Sequence, residues 1–347
     1  MYIYVFLFVI ISILAYTNNQ KFWFKPIMFI LFIMCAFRAG YVDRDYQNYV
    51  ILMDLSVSDP LLPVEPTFKI ISWIALKVFG GVFFLFLVYA AISFTFKIKY
   101  IQRNSHYLML SVLVFYSNIF LLHDMTQIRV AVASIIAFYS LQYIVAGKQK
   151  KFVLFILIAS SFHITALIFL IALNLRADKI TKRFLLIYIM LLITAYAMFY
   201  TNINILTVIE KINIDYIQAK YIQYIKRGNS DEYIPINIFS LFQLIHIAIT
   251  FLLFYIIRGN LVSKEIILTA KLYSFAPIAL VAFSIMPVFS LRISELFSVA
   301  EIILLPYCAY KIKPKMLSLS LVVFICAIMF YINIFHVELL GSYEFYS

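Results

Sequence analysis

Glycine is scarce in this chain, with seven in 347 residues. No G-x-G-x-x-G and no Walker A pattern can be written, which excludes the common Gly-rich phosphate loops. Cysteine is scarcer still. Cys35, Cys308 and Cys326 each lie in an apolar run with no C-x-x-C and no metal-ligand spacing. They read as small buried hydrophobes, and no disulfide framework, zinc site or other metal site is expected from them. Charge is also thin, at 13% of residues against about 25% in a soluble domain. No G-x-S-x-G and no H-E-x-x-H occurs, so a protease or esterase has no support. What is abundant is apolar surface: 65% of the residues are hydrophobic and the mean hydropathy is +0.99. A soluble chain is about 45–50% apolar, and one of this length could not hide the excess. The solvent is a lipid bilayer. The net charge of +12 then reads as the positive-inside bias of a membrane protein, and no nucleic-acid partner is expected.

A spanning helix needs about 20 apolar residues, and about 17 is a working minimum. Ten runs qualify: 1–17, 22–38, 79–96, 106–122, 130–146, 184–201, 235–257, 265–287, 296–312 and 316–335. The first lacks a basic flank and a small-x-small cleavage pattern, so it reads as a retained span. Residues 152–175 are apolar too, but Ser160-Ser161-Phe162-His163 interrupts them and basic clusters flank both ends. A re-entrant or broken helix pair keeps both clusters on one side; an eleventh full span is the alternative. With the hairpin, seventeen Lys/Arg, among them Lys97, Lys99 and Arg103, face the cytoplasm with two acids, and both termini lie outside. The expectation is one all-α, polytopic transmembrane domain over residues 1–347, with outer loops 39–78 and 202–234. The first of these contains an amphipathic stretch, 68–79, expected to lie on the membrane surface.

Ionisable groups near or inside spans are functional candidates by default, and the outer ends of the spans hold four sets. Arg38 is followed by Asp43-Arg44-Asp45-Tyr46 and then Tyr49. Two carboxylates around an arginine suit acid/base work, and a divalent cation at Asp43 and Asp45 stays open. Glu65, between two prolines, reads as the start of the surface helix. Arg129 follows His123-Asp124-Met125-Thr126-Gln127-Ile128, in the first turn of a span. A cation at a helix N-terminus is electrostatically misplaced; together with free N–H groups it makes an anion site. The plainer reading is an anchor paired with Asp124. His163 lies at the hairpin tip, where it can titrate or bond Ser160 or Thr165. Arg292 and Glu295 form an i,i+3 pair near the start of the ninth run. Three arginines from separate helix ends suit an anionic headgroup such as diphosphate.

Three segments in this order, Arg38…Asp43-Arg44-Asp45-Tyr46…Tyr49, Gln127-Ile128-Arg129-Val130-Ala131 and Phe162-His163-Ile164-Thr165-Ala166, resemble the EpsG-like/Wzy polysaccharide polymerases, and Arg292-Ile293-Ser294-Glu295-Leu296-Phe297 resembles the O-antigen polymerase pattern. The resemblance implies a GT-C-like membrane glycosyltransferase at the periplasmic face of the bacterial inner membrane. Such an enzyme transfers an undecaprenyl-diphosphate-linked glycan chain onto another lipid-linked repeat unit, in O-antigen or exopolysaccharide synthesis. It also implies roles. Arg129, Arg38 and Arg292 bind the diphosphate. Asp45 or Asp43 activates the acceptor hydroxyl, with Glu295 and then His163 behind them. Tyr46 and Tyr49 stack on sugars. No cofactor is implied, and a chain-length regulator is the expected protein partner. An O-antigen ligase is the nearest rival. A polysaccharide or lipid flippase is the rival of another class, which expects a polar path through the spans.

Overall fold

The computed structural model describes residues 1–59, 61–201 and 236–346. The loop expected at 202–234 lies outside them. Regular structure among the described residues is helical throughout, apart from two isolated bridges. The chain divides into two compact units, Met1–Asn174 with Glu301–Ser347, and Leu175–Ala300.

The first unit runs α1 (Tyr2–Ala15), α2 (Gln20–Ala36), α3 (Tyr46–Ser58), α4 (Pro66–Lys77), α5 (Phe83–Asn104), α6 (Leu108–Val114), α7 (Ile128–Val145) and α8 (Gln149–Phe162). Its last part, after the second unit's residues, is α14 (Glu301–Lys311) and α15 (Lys315–Tyr331). The helices of the second unit are α9 (Lys182–Tyr200), α10 (Leu241–Arg258), α11 (Lys264–Tyr273), α12 (Phe275–Ala282) and α13 (Pro287–Ser298). Among the described residues six helices are long and apolar enough to cross a membrane: Phe83–Asn104, Ile128–Val145 and Lys315–His336 in the first unit, and Lys182–Tyr200, Leu241–Arg258 and Lys264–Ala282 in the second. The other apolar runs of the sequence form shorter or interrupted helices. The helix expected at 68–79 forms two residues earlier, as α4, because Pro66 suits the first helical position where no N–H is needed.

Two interruptions shape the first unit. After α6 the helix widens to π geometry over Phe115–Asp124. The amides of Met125 and Gln127 reach back five residues, to the carbonyls of Phe120 and Leu122, at 2.9 and 3.1 Å. The extra residue per turn brings His123 and Asp124 into the interior together, and both are buried. The second break is at His163. Its backbone is extended (φ −156°, ψ 121°) between α8 and a 3-10 helix, Ile164–Asn174. The two limbs pack on each other, a broken pair at the place the sequence indicated.

The C-terminal segment is strapped across the loop that follows α2. Ala39 N donates to Glu344 O (2.9 Å), Gly341 N to Val42 O (2.8 Å) and Tyr346 N to Phe37 O (2.7 Å). Gly341 is required by this closeness, because a Cβ there would stand 3.0 Å from the Tyr41 carbonyl oxygen.

In the second unit α9, α10 and α11 start with side-chain caps: Thr181 accepts from Phe184 N, Ser240 from Gln243 N and Ser263 from Ile266 N. Lys271 is buried and donates to the carbonyls of Arg176 and Lys179, so it fastens the start of the unit to α11.

Gly341→Ala should loosen the strap without unfolding the chain, at a cost of about 1 kcal/mol. Hydrogen exchange at the Ala39, Gly341 and Tyr346 amides should rise several-fold while exchange in α7 is unchanged.

Candidate functional site

The first unit gathers its charges against one face of α5. Phe86, Tyr89, Ser93 and Lys97 recur at the three-to-four residue spacing that lines one side of a helix, and three charged groups meet this face: Arg38 at Phe86, Arg129 near Tyr89, and Asp124 at Ser93 and Lys97.

At Phe86 stands Arg38. Its guanidinium carbon is 4.2 Å from the ring centroid. Nε donates to Asp43 Oδ2 at 2.6 Å and Nη1 to the Cys35 carbonyl at 2.6 Å. Both side chains are fully buried. Arg38 Nη2 has no hydrogen-bond partner among the described residues. Asp43 is committed in turn: Oδ1 accepts from the Asp45 amide at 2.9 Å. Asp43 therefore serves to hold Arg38 and the turn, which is not the posture of an exposed base. Asp45 is half-buried beside it, ahead of α3. Among the described residues no group of three or more His, Cys, Asp or Glu side chains is placed to hold a metal ion.

One turn further along α5, the Tyr89 ring lies against Phe68 and Phe162. Here Arg129 extends from the first turn of α7 over the rings of Phe68 and Tyr49, at 5.4 and 5.9 Å, and hydrogen-bonds the Tyr49 hydroxyl. Its Nη1 donates to Glu65 Oε2 at 2.6 Å. The other Glu65 oxygen faces His163 Nδ1 at 3.8 Å. His163 Nδ1 also accepts from the Thr165 amide at 3.4 Å, one of the bonds its position suggested. Thr67 donates to the Ser161 carbonyl and so ties the start of α4 to the break in the hairpin. Burial works to raise the Glu65 carboxyl, but Arg129 and then His163 outweigh it, and Glu65 ionises below the usual carboxylate range.

Deeper on the same face, Lys97 donates to both Asp124 oxygens at 2.6 Å, and Ser93 joins them. The pair is buried. Cys35 Sγ donates to the Asp124 carbonyl at 3.1 Å, which links this pair to the backbone that holds Arg38. Next to Asp124, His123 is buried with neither ring nitrogen hydrogen-bonded among the described residues.

Several expectations are corrected by this geometry. Asp124 does not pair with Arg129; it neutralises Lys97, and Glu65 takes Arg129. Lys97 is not in a cytoplasmic loop, because α5 continues through it to Asn104 and buries it completely. Tyr46 and Tyr49 are core residues with little face left for a sugar. Tyr46 stacks on Phe86 at 4.8 Å, close enough to Gly40 that a Cβ there would stand 2.9 Å from the ring. Tyr49 packs against Phe68 and Phe86. Arg292 and Glu295 are half-buried on α13 in the second unit. Glu65 is the functional candidate that sequence reasoning undervalued. Its position between two prolines announced a helix start, and nothing local pointed to an arginine 64 residues later.

The family model that matches is the EpsG family, over residues 21–346. The chain belongs to the EpsG family. No curated protein matches it, and no solved structure does. EpsG is a polysaccharide polymerase family, and the apolar helices make this member a multi-pass membrane protein.

Two predictions follow from the ion pairs. Lys97→Met strands a buried carboxylate and should cost about 3–5 kcal/mol. The double variant Lys97→Met/Asp124→Leu should regain most of the lost thermal stability in detergent; no loss in the single variant would remove the pair from the account. The Glu65 contribution should follow pH in a defined sense. A carboxylate with a depressed folded pKa stabilises above its unfolded value, and this is lost as pH falls through the folded one. The stability gap between wild type and Glu65→Gln should therefore hold from about pH 8 to about pH 5 and vanish on acidification below about pH 4.

Proposed function

We propose that this protein is a membrane glycosyltransferase that polymerises lipid-linked repeat units at the outer, periplasmic face of a bacterial inner membrane. The donor is a glycan chain on undecaprenyl diphosphate and the acceptor a second lipid-linked unit, for O-antigen or another exopolysaccharide. A GT-C-like arrangement of spans fits this reading. The observation that carries it is Arg129 at the N-terminal turn of α7, held by Glu65 opposite His163 at the hairpin break. Broken backbone within an apolar protein is tolerated where it is covered or lines a wet cavity.

In the reaction the acceptor oxygen bonds the anomeric carbon as the bond from that carbon to the diphosphate oxygen breaks. The electron pair leaves on the diphosphate, and the acceptor proton passes to a base. The cost lies mainly in the charge on the leaving group, and preoriented cations lower it most. Arg129 supplies one. Glu65 and the rings beneath fix its direction, so it has little reorganisation to make. Arg38 supplies the second, with Nη2 as its uncommitted donor. Asp45 is the base in this reading, since Asp43 is engaged by Arg38 and by the Asp45 amide. His163 orients Glu65 and, through it, Arg129. Arg292 and Glu295 are given no role in this step.

Arg129→Ala should insert normally yet fail to extend repeats. Cells should accumulate glycolipid bearing one repeat in place of a ladder, a loss of at least about a hundredfold for an oxyanion-type contact. A wild-type ladder would remove Arg129 from the mechanism. Free lipid-linked polymer would indicate a ligase.

A further inference from the structure

The strap and the loop beneath it flank an open cleft of about 450 Å³ in the first unit, separate from the Arg129 group. That volume lies in the range of small-ligand sites, about 300–1,000 Å³. One wall is the loop after α2, with Tyr41, Asp43 and Arg44; the other is the C-terminal segment, with Glu338, Gly341 and Ser342. The walls are joined at their edges by Gly341 N to Val42 O at 2.8 Å and by Arg44 Nη2 to Val337 O at 2.9 Å. The cleft is therefore a built feature with two fixed sides.

Its chemistry is specific. The lining offers the Glu338 carboxylate, the Arg44 guanidinium and the Ser342 hydroxyl, with Asp43 held by Arg38 and the Tyr41 phenol donating to Glu344; the open groups are the mixture that suits a ligand presenting alternate donors and acceptors. Glu338 makes no hydrogen bond or ion pair among the described residues. It is also the one non-glycine with positive φ among them, at 51°. A side chain is strained in that conformation, and such strain is commonly kept where it aims a group. Arg44 uses only Nη2 in the bond to Val337. Asp43, buried at the cleft, is the same residue that holds Arg38, so a ligand here lies next to the cation assigned to the leaving diphosphate.

We propose that this cleft is the acceptor-sugar site. It takes the terminal residue of the incoming glycan, with Glu338 and Arg44 bonding its hydroxyls and Tyr41 covering one side. The C-terminal strap is then a wall of the site as well as a clasp on the Arg38 loop. The inference rests on the polymerase reading for its choice of ligand.

The test uses the full chain purified in detergent. The probe is the carrier-free repeat oligosaccharide released by mild acid from the cell's own lipid-linked repeat. Wild type should bind it with a Kd near about 1 mM or tighter. Glu338→Gln and Arg44→Gln should each weaken binding about tenfold at unchanged thermal stability, and Ser342→Trp, which fills the cleft from an exposed position, should abolish it. Elongation assays on the same variants should show a raised acceptor KM with kcat largely kept for Glu338→Gln. Absence of wild-type binding, or wild-type affinity in all three variants, overturns the proposal. The two readings fail separately. Elongation by wild type with indifferent cleft variants removes the cleft and leaves the polymerase. Binding that is sensitive to these variants in a protein that never elongates leaves a saccharide site and removes the polymerase.

Discussion

A charge buried among apolar side chains must be neutralised where it stands, and this requirement organises the first unit more than any helix propensity does. Isolated ions pay several kcal/mol each when removed from water. Here each of three cations meets its own carboxylate: Arg38 with Asp43, Arg129 with Glu65 and Lys97 with Asp124, each at 2.6 Å. The pairs are laid out along one face of α5, from Phe86 to Lys97, about 16 Å at 1.5 Å per residue. Two of them leave donor nitrogens over, Arg38 Nη2 and Arg129 Nε, without a partner among the described residues. The third, Lys97 with Asp124, is closed on both sides and acts as the fixed end of the row.

The same economy explains the local irregularities. A regular helix from Leu108 onward would turn His123 or Asp124 away from Lys97; the π stretch brings both inward. A continuous helix through residue 163 would carry Thr165 and His163 past Glu65; the extended residue keeps the imidazole there. The C-terminal strap does for the Arg38 loop what these breaks do for the helices. It supplies backbone acceptors and donors to a segment that has no regular structure of its own, and its backbone runs so close that any side chain at 341 would press on the Tyr41 carbonyl.

Much of the fold was legible in the sequence because apolar run length and polar interruptions are local signals. The break near His163, a helix after Glu65 and the membership of a polymerase family could all be read from residues near one another. The partners of the charges could not. Asp124 is five residues from Arg129 in sequence, yet its partner is Lys97. Lys97 looked like a loop residue because it follows an apolar run and precedes Lys99 and Arg103. Only the continuation of α5 to Asn104 and the widened turn at Asp124 bring the two together. Tyr46 and Tyr49 had the composition of a sugar platform, but their rings fill the space between α3, α4 and α5. Glu65 was undervalued for the same reason: a carboxylate at a helix start is ordinary until the cation opposite it is known.

In the proposed reaction the held arginines recognise diphosphate. The most direct measurement compares the affinity of the purified chain for two sugar-free carriers, undecaprenyl diphosphate and undecaprenyl monophosphate. The diphosphate should bind at least about tenfold more tightly, as one additional charge-assisted contact provides. This preference should disappear in Arg129→Gln, while the monophosphate binds as before. Equal affinity for the two carriers in the wild-type protein would contradict this role of the arginines.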